Sequence, residues 1–279
     1  MQAYVKFPGD DETSYPAHRG LRCEHGGMAQ MTAQATQVDS RKRIAGDEVW
    51  ELAAAEYRRM LEFIRTLRDG DWARPTDCTA WDVRGMLGHL VGAAEGFARP
   101  VELVHQYRLG AKLLKRGEVD GHLPVDGANA VQVRERAGAT TAELTARYER
   151  ATPKAVRWRR RLRWIPGSQP DDGGRFTMRE LFEVILTRDT WIHRVDIARA
   201  TGREMVLTPE HDGRIVEDCV LDWAKKHDRP FNLVLSGPAG GRFEVGTDGP
   251  DIEIDAIEFA RALSGRGVRE EILGTRVVF

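Results

Sequence analysis

The chain has 279 residues, 41% of them hydrophobic and 30% charged, and its 42 basic and 43 acidic side chains leave a formal net charge of −1. That length can bury a sizeable core in one large domain or two small ones, and the balanced charge calls for neither nucleic acid nor an acidic membrane as partner. No apolar run is long enough to span a bilayer, and the mean hydropathy is −0.47.

The first 45 residues mix Pro, Gly, Ser, Gln and charge without a sustained period and read as a disordered tail. The stretch MQAYVKFPGDDETSYPAHRG has no apolar segment of the signal-peptide kind. Met28 and Met31 lie inside the tail and are alternative candidate start positions. Cys23-Glu24-His25 lacks the second ligand pair of a zinc finger. Cys23, Cys78 and Cys219 are odd in number and far apart, which points to reduced thiols in a cytoplasm.

From Gly46 the pattern turns helical. Val49, Leu52, Ala53, Tyr57, Met60, Ile64 and Leu67 recur at three- and four-residue steps, the stripe of an amphipathic helix. A second helix is expected from Thr79 as N-cap, with the stripe Val83, Met86, Leu87, Leu90, Ala94 and Phe97, stopped or kinked by Pro100. VELVHQYRLGAKLLKRG continues it or forms a further helix, and GEVDGHLPVDGAN reads as a connection. Thr140 with Glu143, and Thr177 with Glu180, are capping boxes opening two more helices, the last closed by Gly202. Four principal helices over 46–202 predict an antiparallel bundle. Over 203–279 the composition changes to a helix near Pro209–Lys226, a hairpin in FNLVLSGPAGGRFEVG, a strand in DIEIDA, a helix in IEFARALSGRG and a last strand in TRVVF. The expected class is therefore mainly α: a bundle followed by a small α/β domain.

His89 stands among Met, Leu, Gly and Val in MLGHLVG. In TRDTWIHRVDIARATG, Asp189 and His193 are four apart, about 40° around a helix axis, and Asp196 falls on the same stripe. A carboxylate and an imidazole one turn apart can grip one divalent cation, and His89 could add a third ligand from another helix, leaving an open coordination position. Spacing alone leaves another reading open: a hydrogen-bonded core histidine and a surface ion pair.

CTAWDVRGMLGHLVG resembles the first metal-binding segment of the mycothiol-dependent maleylpyruvate isomerase family, which is related to the DinB-like bundles. TRDTWIHRVDIARATG resembles its second segment, and EIDAIEFARALSGRG the end of its C-terminal domain. The resemblance covers about residues 46–279. It implies a DinB-like metal-binding four-helix bundle with His89, Asp189 and His193 as ligands of a divalent metal, zinc by expectation. Asp196 is expected to orient an imidazole or cap an arginine, and Arg266, in LSGRG, to offer a cation to an acidic substrate. The family usually has Glu where this chain has Asp189, a side chain one methylene shorter. The implied activity is that of an isomerase or S-transferase in which a metal-activated thiolate of mycothiol adds to a small electrophile. A non-enzymatic DinB-like metal-binding protein is the alternative.

Three further features carry bland readings. RWRRRLRW, Arg157 to Trp164, suits a solvated helix face with buried tryptophans better than an RNA-binding segment. GPAGGR lacks the Gly-Lys-Ser/Thr ending of a phosphate loop and reads as a hairpin turn. His211 and Asp212 read as a helix cap and dipole partner. The expected partners are a small electrophile and a low-molecular-weight thiol, with neither nucleic acid nor membrane.

Overall fold

Capping chemistry sets where the helices begin. In the computed structural model, which describes residues 36–171, 174–266 and 273–279, the first five helices are α1 (Glu48–Ile64), α2 (Val83–Ala98), α3 (Pro100–Lys115), α4 (Pro124–Arg134) and α5 (Thr141–Leu162). The Thr140–Glu143 capping box opens α5 as expected. The short hairpin of β2 (Ser168–Asp171) and β3 (Gly174–Thr177) leads into a continuous helical run. This run consists of α6 (Met178–Glu180), a π-helical turn (Leu181–Ile185) and α7 (Leu186–Thr201). Thr177 and Glu180 cap its start reciprocally, and Gly202, at φ 66°, closes its end in the left-handed conformation glycine adopts without strain.

The bundle consists of α1, α2, α5 and α7, and α3 and α4 lie as a hairpin against α2. Its core holds Met60, Leu87, Leu90, Tyr148, Phe182 and Ile197, with the α1 stripe turned inward. The smaller part begins with a π-helical turn (Pro209–Gly213) and α8 (Arg214–His227). β4 (Phe231–Ser236) and β5 (Gly241–Val245) pair antiparallel, β6 (Asp251–Asp255) runs parallel to β4, and α9 (Ala256–Leu263) follows. The fold is thus a DinB-like helical bundle followed by a small region with a mixed sheet.

Several expectations need correction. The cap of α2 is Asp82, which accepts from the Gly85 amide at 2.6 Å, so the helix starts later than a Thr79 cap implied. Of the two outcomes expected at Pro100 the structure has the stop: a further helix, α3, opens at Pro100, where its missing N–H is no loss. The stretch read as a connection contains the start of α4, where the Asp126 carboxylate accepts from the amides of His122 and Leu123. Low apolar content hid this helix. TRVVF is not a strand: Val277, Val278 and Phe279 are buried as irregular chain, with the Val277 amide on the Leu263 carbonyl. The expected tail is ordered over its last part. β1 (Thr36–Gln37) extends the sheet to the order β1-β5-β4-β6, Val38 and Ile44 are buried, and Arg41 and Arg43 pair with Glu217 and Asp222. Cys23-Glu24-His25, Met28 and Met31 lie outside the described residues. In RWRRRLRW the inward side chain is Arg159, which bonds the Phe182 carbonyl and Thr187, whereas Trp164 is exposed beneath Arg163 and Arg179.

Position 202 is not a clean division either. α7 presents Ile197 and Ala198 to the bundle core, and Trp191, Ile192 and Val195 to the core under the sheet. One helix therefore belongs to both halves. Between them Arg194 of α7 holds Glu56 of α1 at 2.8 and 2.9 Å and Asp212 at 2.7 Å, all buried.

The α3–α4 hairpin is closed by backbone contact. A Cβ on Gly110 would stand 2.3 Å from the Gly127 carbonyl carbon. Gly110→Ala should therefore destabilise the protein by about 1–3 kcal/mol through overpacking, read as a lower urea midpoint. Gly138→Ala, which meets nothing within 4 Å, is the matched control.

Candidate metal centre

α2 carries His89 beside a row of glycines, Gly88, Gly92 and Gly96. A Cβ on Gly92 would lie 2.4 Å from Cβ of Gln132, and one on Gly96 would lie 2.9 Å from Oε1 of Gln106. The glycines thus admit α4 and α3 close to α2, which brings Gln132 against His89. His89 Nδ1 donates to Gln132 Oε1 at 2.8 Å. The Gln132 amide in turn donates to Gln106 Oε1, and Gln106 donates to the Gly92 carbonyl and to Glu102. With its proton fixed on Nδ1, His89 presents an unprotonated Nε2 to the bundle interior, and that buried atom has no hydrogen-bond partner.

His193 on α7 is held in the same sense from the other side. Its Nδ1 donates to Asp196 at 3.0 Å. Asp196, fully buried, receives both Nε and a terminal nitrogen of Arg266 at 2.7 Å each. Trp81, just before α2, stacks on the His89 ring at 4.7 Å between centroids and 22° between planes. It shields the imidazoles on one flank.

Asp189 lies between the two inward ring nitrogens. Its carboxylate oxygens stand 3.6 Å from His89 Nε2 and 3.4 Å from His193 Nε2. The three potential ligand atoms lie within 4.8 Å of one another. Two ligands about 2.1 Å from one tetrahedral ion stand about 3.4 Å apart, so the spacing suits a divalent cation. The 3.4 and 3.6 Å separations are longer than good hydrogen bonds. The orphaned Nε2 of His89 and a carboxylate bound by no arginine among the described residues both fit a metal.

Glu56, His211 and Asp212 also lie within 4.8 Å of one another. His211 Nε2 is 2.7 Å from Glu56, and Asp212 accepts from Trp191, Arg194 and the Thr208 amide. Arg59 also reaches Asp212, at 3.5 Å, so the two carboxylates already face two arginines, which a metal ion there would have to displace. The cap expected of Asp212 is a minor part of a buried ion network.

Burial disfavours charge on His89 and lowers its pKa despite nearby Asp189. For His193 burial acts the same way, but Asp189 and Asp196 outweigh it and raise the value. Asp189 is pushed up by burial, yet the two imidazoles hold it well below the ordinary carboxylate range. Cys78 and Cys219 are buried, and burial pushes their thiols to about 11 and about 12. Neither supplies a thiolate at neutral pH.

Arg266 departs from the expectation of a substrate-facing cation. It is 4% exposed and its guanidinium is spent on Asp196. The cavity that opens beside His89 and Asp189 is lined by other residues. The place of Arg266 is behind His193. Sequence reasoning missed Gln132 and Gln106, because neutral amides in an apolar-poor segment carry no signal until a histidine is seen beside them.

In metal-free protein, charged His193 contributes stability that is fully present below its unfolded pKa of about 6.5 and is lost as pH rises through its raised folded value. The urea midpoint of wild type relative to His193→Asn should therefore fall as pH climbs above about 6.5; a flat difference would contradict the shift. Arg266→Ala leaves Asp196 buried without its cation, which should cost about 3–5 kcal/mol and weaken metal binding about 10–100-fold through His193, as read by unfolding and by metal titration.

Residues 53–198 match the family described as the mycothiol maleylpyruvate isomerase N-terminal domain. No curated protein matches the chain. Among solved structures, the crystal structures of the mycothiol-dependent maleylpyruvate isomerase and of a histidine-to-alanine mutant of it are similar in fold. Each has a TM-score of 0.50 and 14% identity over 83% of this chain and 92% of the other. At that identity the likeness speaks for the fold alone. The family match spans more than half of the chain, on the helices that carry His89, Asp189 and His193, and the chain belongs to the mycothiol maleylpyruvate isomerase N-terminal domain family.

Proposed function

We propose that the protein is a metal-dependent enzyme that uses a low-molecular-weight thiol, mycothiol by family, to attack a small electrophile, as an isomerase or an S-transferase. The observation that carries this reading is the buried, partnerless Nε2 of His89 facing Asp189 and His193. His89, Asp189 and His193 would hold the ion, zinc by expectation. A divalent metal bound there would stabilise a thiol as its thiolate near neutral pH.

The chain's own residues prepare for that chemistry. Gln132 and Asp196 hold a ring proton on each outer nitrogen, which leaves the inner nitrogens to serve as metal ligands. Arg266 neutralises Asp196, which lets that carboxylate sit fully buried behind His193. Asp189 stays ionised and is the one carboxylate in the ligand group. Both described cysteines are held as thiols, so an external thiol is the natural nucleophile. Trp81 and the apolar core limit water, which strengthens every charge interaction inside. No helix among the described residues is long and apolar enough to cross a membrane.

Protein reconstituted with zinc should retain about one equivalent after dialysis. His89→Ala and Asp189→Ala should lose it, whereas Asp189→Glu should keep it, with a longer carboxylate at the same place. Calorimetric titration with mycothiol should show binding to the zinc protein and none to His89→Ala. Zinc-loaded wild type that neither binds mycothiol nor consumes any electrophile with it would leave the chain a non-enzymatic DinB-like metal-binding protein.

A further inference from the structure

A second cavity lies on another face of α2, where the α2–α3 junction meets the end of α4 and the middle of α5. It measures about 410 Å³, the size of a small-molecule site, and shares no lining residue with the cavity beside His89. Five of its lining side chains are basic and three are acidic, a surplus of two positive charges in a chain whose net charge is −1.

The three carboxylates are already engaged. Glu95 accepts from Arg147 and from Arg136, which is only 2% exposed. Glu102 accepts from Arg136 and Gln106, and Glu135 is 2.7 Å from His105. Arg99, Arg150 and Lys154 are left over: they are exposed, and none has an acidic partner among the described residues. On α5, Arg147, Arg150 and Lys154 follow one another at three- and four-residue steps, so like charges stand along one face of the helix. Such a stripe is unfavourable on its own, and an anion bound in the cavity would relieve it.

The rest of the lining narrows the anion. Among the described residues, Ala98 and Ala151 are its only apolar members, and no aromatic ring is there to stack a base or an aryl group. The body of the ligand is therefore polar. Three unpaired cations suit a phosphoryl group, with about 1.5–2 negative charges and three acceptor oxygens, better than a carboxylate with one charge and two oxygens.

We propose that this cavity binds a phosphate monoester of a small polyhydroxy compound, a sugar phosphate in class, and that Arg99, Arg150 and Lys154 hold its phosphoryl group. The site stands apart from the metal centre and needs neither the metal nor the thiol chemistry.

Calorimetry on the full chain, in phosphate-free buffer, tests this with metal-free and with zinc-loaded protein. The probes are glucose 6-phosphate, inorganic phosphate, glucose and succinate. Glucose 6-phosphate should bind both forms, and more weakly as sodium chloride is added. Inorganic phosphate should bind more weakly than the ester, and glucose and succinate at least about tenfold more weakly. Arg150→Gln combined with Lys154→Gln should weaken the ester at least about tenfold and leave zinc retention unchanged. Arg99→Gln, on a different element, should weaken it in the same direction. Lys112→Gln combined with Lys115→Gln removes the same charge from exposed positions of α3 outside the lining and should leave the affinity within about twofold. No binding of the ester, an equal loss in the two paired variants, or binding confined to zinc-loaded protein overturns the proposal. Succinate bound as tightly as the ester would overturn the phosphoryl assignment, and inorganic phosphate bound as tightly would overturn the polyhydroxy body.

Discussion

Two imidazoles and a carboxylate held within 4.8 Å of one another inside an apolar bundle are costly to bury, and much of the surrounding structure answers that cost. Each imidazole is satisfied on its outer nitrogen and turns the inner one toward Asp189. The acceptors differ in kind. Gln132 is a neutral amide anchored through Gln106 to Glu102, and Asp196 is an anion cancelled by Arg266. The two arrangements reach the same end: a fixed ring with its inner nitrogen aimed at one point.

The packing explains how these supports arrive. Glycines at four-residue intervals on α2 let α3 and α4 lie close enough for amide side chains to reach the ring. On the other side, α7 is shared between the bundle core and the core beneath the sheet. That sharing places a residue just past α9, Arg266, behind a histidine of the bundle. The small α/β part is therefore tied into the polar support of the site and does not simply lie over it. The Glu56–Arg194–Asp212 network pins the same two parts together nearby.

A full set of arginine contacts also distinguishes the two acidic–histidine clusters. Glu56 and Asp212 carry their countercharge with them as Arg194 and Arg59. Asp189 has no arginine partner among the described residues, and its neighbours are two rings aimed at it through nitrogen. Geometry alone treats the clusters alike; charge balance separates them.

Local chemistry was legible in the sequence wherever a residue acts on its near neighbours. The capping boxes at Thr140 and Thr177, the stop at Gly202, the α1 stripe and the alternation of DIEID all depend on interactions within a few residues, and each stands in the fold as read. The i, i+4 placement of Asp189 and His193 on one helix was legible for the same reason, and His89, a lone imidazole in an apolar stretch, was read as a possible third ligand that the family resemblance then supported. What distant segments do to each other was not. α4 was hidden because its buried residues are mostly Gly, Ala, Asp, Asn and Gln, and Gly127 and Gln132 bury well only against glycines of α3 and α2. Residues 36–45 were read as tail because two residues of strand and a few ion pairs gain their stability only from the sheet edge and α8 that receive them. Arg266 was read as a substrate-facing cation from the family resemblance alone. Only the tertiary structure set Asp196, 70 positions away, against its guanidinium, since a buried charge takes its meaning from what lies across the core.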